Sequence, residues 1–345
     1  MKVLVTGGCG FLGSHVCEFY RGLGWEVVSY DNMTKYELKK TGYDADLARN
    51  FNKDFLKEIG VSLVEKDIRD FDDVLSSARG CDYIVHTAAQ PAMTLSEEDP
   101  RLDLTSNVIG TFNILEVARQ LDIPVVSCAS IHVYGMGINA SLKEGKTRYE
   151  RAPVAISESA PLMTGIITPL HASKMSAEWY VRAYIDTYKV RAASFRLTGI
   201  YGTRQFGGED HGWAANFSIR ALTGKLITIF NTGKQVRDII YATDVCRAFH
   251  AFFENQIPGV YNIGGGRMTS ISLIESISLI EEILGCKVEY RFGGERWGDL
   301  YYWISDISLA EKKLGFKPEI KPDKGFRMLI DWIRENIHIF QAGKK

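Results

Sequence analysis

The stretch at residues 3–15, VLVTGGCGFLGSH, restricts the fold more than any other part of the chain. A short β-prone run leads into Gly7, Gly10 and Gly13, spaced G-x-x-G-x-x-G, and a helical pattern follows. Glycines at that spacing let the chain turn tightly, and they let backbone amides at a helix N-terminus approach a pyrophosphate. The triad gains weight from the next strand, which ends at Asp31 in EVVSYDN. A carboxylate there can accept from both hydroxyls of an adenosine ribose and would repel a 2′-phosphate, so NAD is expected rather than NADP. Asp67 and Ile68, after the third strand, can hold the adenine.

The rest of the first half repeats this unit. Runs 1–6, 26–30, 61–65, 83–87, 125–129 and 191–197 are apolar at odd and even positions alike, as strands covered on two faces must be. Helical patterns fall between them at 13–23, 71–78, 104–120 and 174–187. Repeated βα units predict an α/β protein with a Rossmann-type, doubly wound parallel sheet and a smaller C-terminal α/β lobe that binds substrate. The expected division is 1–202 with 234–262 for the NAD-binding domain, and 203–233 with 263–345 for the lobe. The irregular stretches 137–168 and 203–212 read as long loops beside a site.

Composition removes several function classes. Forty-one Lys and Arg residues against 42 Asp and Glu give a formal charge of −1, without the basic excess that nucleic acid or an anionic membrane would favour. The six cysteines are scattered, with no CxxC or Cys/His ligand spacing, so reduced thiols in a cytoplasm and no metal site are expected. No run reaches the ~18 apolar residues of a membrane helix.

Further motifs carry a family resemblance: HTAAQ at 86–90, NVIGTFNILE at 107–116, VYG at 133–135, SK at 173–174, RLTGIYG at 196–202, VRDIIYATDV at 236–245 and YNIGGG at 261–266. With the glycine motif they resemble the extended short-chain dehydrogenase/reductases that act on nucleotide sugars. QPAMT at 90–94, TRYERAP at 147–153 and RQFGGEDHGW at 204–213 are most similar to the CDP-paratose 2-epimerase branch. The resemblance implies transient oxidation of a sugar hydroxyl to a ketone with NAD, and most directly an epimerase. A dehydrogenase, dehydratase or decarboxylase of the same family is the alternative, and an NAD- and sugar-nucleotide-binding protein with impaired chemistry is the alternative of another class.

The resemblance also distributes roles. Phe11, Leu12, Asn32, Ala88, Ala89, Gln90 and Asn107 join the cofactor site, with Asn107 expected to bond backbone beside the catalytic strands. Gln90 and Thr94 fall where the cofactor loop meets the sugar. Arg237 matches an arginine that grips the diphosphate, Arg296 and Asp299 a second phosphate and ribose contact, and Arg204, Gln205, Trp213 and Phe217 bracket the sugar and base. Two helices of the family's homodimer correspond to 104–120 and 174–187, so a homodimer is expected.

In that family a tyrosine, a serine or threonine and a lysine handle the hydroxyl proton. Ser130 and Lys174 match two of them, but Leu170 stands where the tyrosine belongs. Leucine neither ionises nor donates a proton. His171 is the first substitute to consider, because on a helix it lies ~60° from Lys174 and Leu170 ~40°. A neutral imidazole, with an ordinary pKa of ~6.5, needs no large shift to act near pH 7. His132 is the second candidate, sharing a strand face with Ser130 if the strand continues; Tyr149 or Tyr134 entering from loops are the others.

Overall fold

Seven parallel strands form the central sheet of this computed structural model, which describes every residue except Lys35, Glu37, Trp297 and residues 342–345. They are β1 (Lys2–Thr6), β2 (Glu26–Tyr30), β3 (Ser62–Val64), β4 (Tyr83–His86), β5 (Val125–Ser130), β6 (Ala192–Leu197) and β7 (Gly259–Ile263). Their spatial order is β3-β2-β1-β4-β5-β6-β7. The order reverses between β1 and β4, and in such sheets ligands bind outside the carboxyl ends of the strands at that reversal.

Period-two alternation explains the two-sided hydrophobicity. Val3, Val5, Val27 and Val85 pack on one face with Val16, Tyr20, Phe249 and Phe252. Leu4, Val28, Ile84 and Val125 pack on the other with Ile114, Leu115, Val117 and Val181. Each such side chain contributes about 1.5–3 kcal/mol when fully buried. A separate apolar cluster of Phe206, Phe217, Ile277, Phe326, Leu329 and Ile333 forms the core of the C-terminal half.

Three helical features depart from the sequence expectations. Ala45–Glu58 is a helix, capped by Asp44, whose carboxylate accepts from Asp46 N and Leu47 N. The run expected as one helix over 104–120 is a π turn, Leu104–Ile109, continued by the α-helix Gly110–Leu121. The helix expected from Lys174 starts at Pro169 and runs to Tyr188. Proline at its first position is pre-set for helix, and Thr168 caps it in a box that uses His171 rather than the usual glutamate.

Candidate active site

A single cavity of about 560 Å³ opens at the reversal point. Gly7, Gly10, Gly13, Asp31 and Asp67 line one end, while Ser130, His132, Leu170, Lys174 and Arg237 line the other. Tyr134 and Tyr149 do not reach it. Tyr134 is fully buried, its hydroxyl bonded to Asn262 and Arg196, and Tyr149 stacks on Tyr301.

The first end is a backbone cradle. Gly7 has φ +70°, and a Cβ there would lie 2.8 Å from Ala88 Cα. A Cβ on Gly13 would lie 2.0 Å from the carbonyl oxygen of Gly7. Asp31 fixes the loop by accepting from Cys9 N at 3.0 Å and Met33 N at 2.8 Å. Asp67 accepts from Asn32 Nδ2 at 2.8 Å and Arg69 Nη2 at 2.7 Å. Burial alone would raise its pKa, but these bonds outweigh burial and hold it to about 2, so it stays charged. Phe11, Leu12, Ile68, Ala88 and Ala89 complete the wall. A glycine cradle closed to a Cβ at Gly7 and Gly13, with the Asp31 carboxylate on the same wall, fits a dinucleotide.

Between the ends, Asn107 acts through its neighbours. It does not line the cavity; its amide accepts from Gln90 N at 2.8 Å and donates to Gln90 O at 3.1 Å and Ser173 Oγ at 3.0 Å. Asn107 thus bonds backbone, as expected, at Gln90. Gln90 lines the cavity and holds Asp103 at 2.6 Å.

At the second end Ser130 closes β5, and its hydroxyl accepts from His132 N at 3.2 Å. Lys174 is 8% exposed and makes no hydrogen bond or ion pair among the described residues. Burial lowers its pKa, with Cys128 and Asp103 opposing. Leu170, 2% exposed, faces the cavity from the same helix. His171 does not flank Lys174 in the cavity. It is fully buried, because its Nδ1 folds back onto Thr168, 2.6 Å from Oγ1, to cap the helix. The imidazole on the cavity wall is His132, with its pKa lowered to about 3 by burial and then by His171, Arg237 and Lys174.

The expected substrate contacts divide. Arg237 lines the cavity and reaches Asp299 at 3.2 Å, which also places Asp299 there. Arg296 donates to Asp210 at 2.8 Å and to the Glu209 carbonyl at 2.7 Å. Thr94 donates to the other oxygen of Asp210 at 2.5 Å rather than lining the cavity. Asp210 therefore joins three segments across the mouth; its only sequence signal is its place in the charged, glycine-rich loop 203–212. Arg204 lines the cavity and is also tied to the first helix. Its guanidinium bonds Ser14, His15 and Glu18 and lies 4.3 Å from the Phe55 ring centre, so its charge is spent. Gln205 lines the cavity while donating to Ile200 O. Trp213 lines both the main cavity and a side pocket of about 90 Å³, where Phe217 joins Phe230 and Gln235.

The chain is similar to known proteins over nearly its whole length. Residues 3–264 match the NAD dependent epimerase/dehydratase family. The chain is 32% identical over 349 aligned positions to the CDP-paratose 2-epimerase of Salmonella typhi, covering 96% of this chain and 99% of that protein. Its fold is similar to UDP-glucose 4-epimerase of Thermotoga maritima with UDP-glucose, at TM-score 0.80 and 27% identity, covering 98% of this chain and 100% of that one. It is also similar to UDP-glucuronic acid 4-epimerase of Bacillus cereus in complex with UDP-glucuronic acid and NAD, at TM-score 0.82 and 26% identity, covering 97% and 100%.

Proposed function

Because the chain belongs to the NAD dependent epimerase/dehydratase family of extended short-chain dehydrogenase/reductases, we propose that it epimerises a nucleoside-diphosphate sugar through a transient ketone, using a proton acceptor other than tyrosine. The observation that carries this reading is one continuous cavity with the glycine cradle and Asp31 at one end and Ser130, Lys174 and Arg237 at the other. NAD would supply the hydride acceptor, and later donor, for the sugar carbinol. The chain's own residues do the rest. The amides after Gly7 and the carboxylate of Asp31 orient the dinucleotide, and Arg237 draws in the diphosphate. Ser130 holds the reacting oxygen, and the hydroxyl proton passes to Lys174 or His132, the titratable groups next to Ser130 on the wall.

Leu170 favours a second reading, a protein that binds NAD and a sugar nucleotide without turnover. A panel of CDP-, UDP-, GDP- and dTDP-sugars separates the two. Epimerisation of at least one sugar is expected, with Asp31→Ala weakening NAD binding about tenfold or more, the equivalent of ~1.4 kcal/mol. Tight binding of a sugar nucleotide with neither epimer formation nor reduction of bound NAD would overturn the enzyme reading. Accumulation of a reduced cofactor with a keto sugar would favour a dehydrogenase.

We further propose a homodimer through the helices Gly110–Leu121 and Pro169–Tyr188. Trp179, Tyr180, Tyr188 and Phe112 stand exposed there, Trp179 at 56%. Sedimentation should give twice the chain mass, and Tyr180→Glu should shift it to the monomer. A monomeric wild type at ~10 μM would refute the interface. The proposed lobe division changes in one place: Val236–Asp238 pairs with Ser270–Ser272 and Tyr302–Trp303, so we assign it to the C-terminal lobe.

A further inference from the structure

The helix Ala45–Glu58, absent from the sequence expectations, brings two side chains to the cofactor end of the cavity, Arg49 and Asn52. Arg49 is 7% exposed and Asn52 2%. Arg49 Nη1 donates to the carbonyl oxygen of Cys9 at 3.2 Å. Asn52 Nδ2 donates to the same oxygen at 3.2 Å and to Gly10 O at 3.3 Å. The two side chains thus hold the glycine loop by its carbonyls.

A peptide unit is planar and trans, so fixing its carbonyl also fixes the N–H across the same bond. The Cys9 carbonyl shares its plane with Gly10 N–H, which closes the turn onto Gly7 O at 3.0 Å. The Gly10 carbonyl shares its plane with Phe11 N–H, the first amide of the helix Phe11–Gly22. Gly10 caps that helix without a side-chain bond, and the first amides of a helix have no partner within it. Phe11 and Leu12, which carry two of these amides, line the cavity. Glycine lets the loop take its shape and also lets it leave that shape, a freedom that ligand binding must remove.

Hydrogen-bond satisfaction alone does not explain Asn52. Without it, Cys9 O would keep Arg49, and Gly10 O would keep the helical bond from Ser14 N at 3.0 Å. Neither carbonyl needs the asparagine. Its Nδ2 faces two groups that only accept, which leaves its Oδ1 buried without a partner among the described residues, at a cost in stability. We propose that Arg49 and Asn52 are positioning residues for the cofactor, which keep the Phe11 and Leu12 amides set for the pyrophosphate before it arrives; this rests on the NAD-binding reading above.

The helix that carries them is itself anchored. Phe51 meets Phe206 and Trp332 edge to face, with ring centroids 6.0 and 5.7 Å apart. Phe55 packs against the Arg204 guanidinium. The brace therefore stands on the C-terminal half, whose core contains Phe206, and reaches the loop from there.

Calorimetric titration with NAD, competition by adenosine and nitrogen-15 relaxation of the ligand-free protein test this together. Asn52→Leu removes the stranded oxygen, so its melting temperature should equal or exceed that of the wild type, while NAD binding should weaken about tenfold. An asparagine that served only the fold would give the opposite pair of results. Arg49→Met should likewise weaken NAD about tenfold. Adenosine has no phosphate and should bind both variants within about twofold of wild type. Backbone order parameters of residues 9–12 should fall in both variants. A lower melting temperature for Asn52→Leu, NAD affinity equal to wild type in either variant, or adenosine weakened as much as NAD would overturn the proposal. Weakened NAD with unchanged order parameters would also overturn it, by making the two side chains direct ligand contacts. If the wild type binds no NAD, the cofactor reading itself falls and the brace with it.

Discussion

Replacing Lys174 by methionine is expected to raise the melting temperature of the ligand-free protein while lowering turnover by ~10²–10⁴-fold. The two effects have one cause. The Lys174 amine is enclosed, without a hydrogen bond or ion pair among the described residues, in a setting that disfavours its charge. Methionine keeps the length of the side chain and removes the desolvated nitrogen, so about 1–3 kcal/mol of stability should return. The sign with pH follows. A folded pKa below the ordinary 10.5 means that the unfolded chain binds the proton more readily between the two values, so wild-type stability rises with pH across that window. The gap between wild type and variant should be full at low pH and close as pH approaches 10.5. Calorimetry of both proteins from pH 6 to 10 checks this; a methionine variant less stable than wild type at pH 7 would show that Lys174 is a structural cation.

The second large effect is at Gly13. Its added Cβ would meet Gly7 O at 2.0 Å, Gly7 C at 2.7 Å and Gly8 Cα at 2.8 Å, all of them backbone. No side chain can swing aside there, so the loop itself must move. Gly13→Ala should cost about 1–3 kcal/mol of stability and displace the amides that face the pyrophosphate. NAD affinity should fall by about 100-fold, which corresponds to ~2.8 kcal/mol. Gly22→Ala is the matched control, since its Cβ meets nothing within 4 Å and alanine suits a helix better. Equal NAD titrations for the two variants would mean that the loop does not hold the cofactor.

The sheet and the cofactor end were legible because their physics is local. A buried parallel strand needs apolar residues on both faces, and a strand-to-helix turn over a phosphate needs glycine; both requirements sit within a few neighbours in the sequence. Ala45–Glu58 escaped because its buried stripe is narrow, with Ala48 and Leu56 standing among charges. His171 was placed on the right helix with the wrong duty. Thr168-Pro169 is a readable helix start, and a histidine three residues beyond such a cap can turn back onto it, which takes its ring away from the cavity. Arg204 and Asp210 were illegible for another reason. The partners that hold them, Glu18 for one and Thr94 and Arg296 for the other, lie 186, 116 and 86 positions away.

The π turn Leu104–Ile109 makes chain length itself part of the site. A regular helix advances ~100° per residue, so the extra residue held in that wide turn sets the angle at which Asn107 leaves the helix and meets Gln90 and Ser173. Removing any one residue between 104 and 106 could restore an ideal α-helix and would swing Asn107 a quarter-turn or more out of register. Two chains can therefore share every side chain named at this site and still differ in whether the loop of Gln90 is anchored, according to the count of residues before the asparagine.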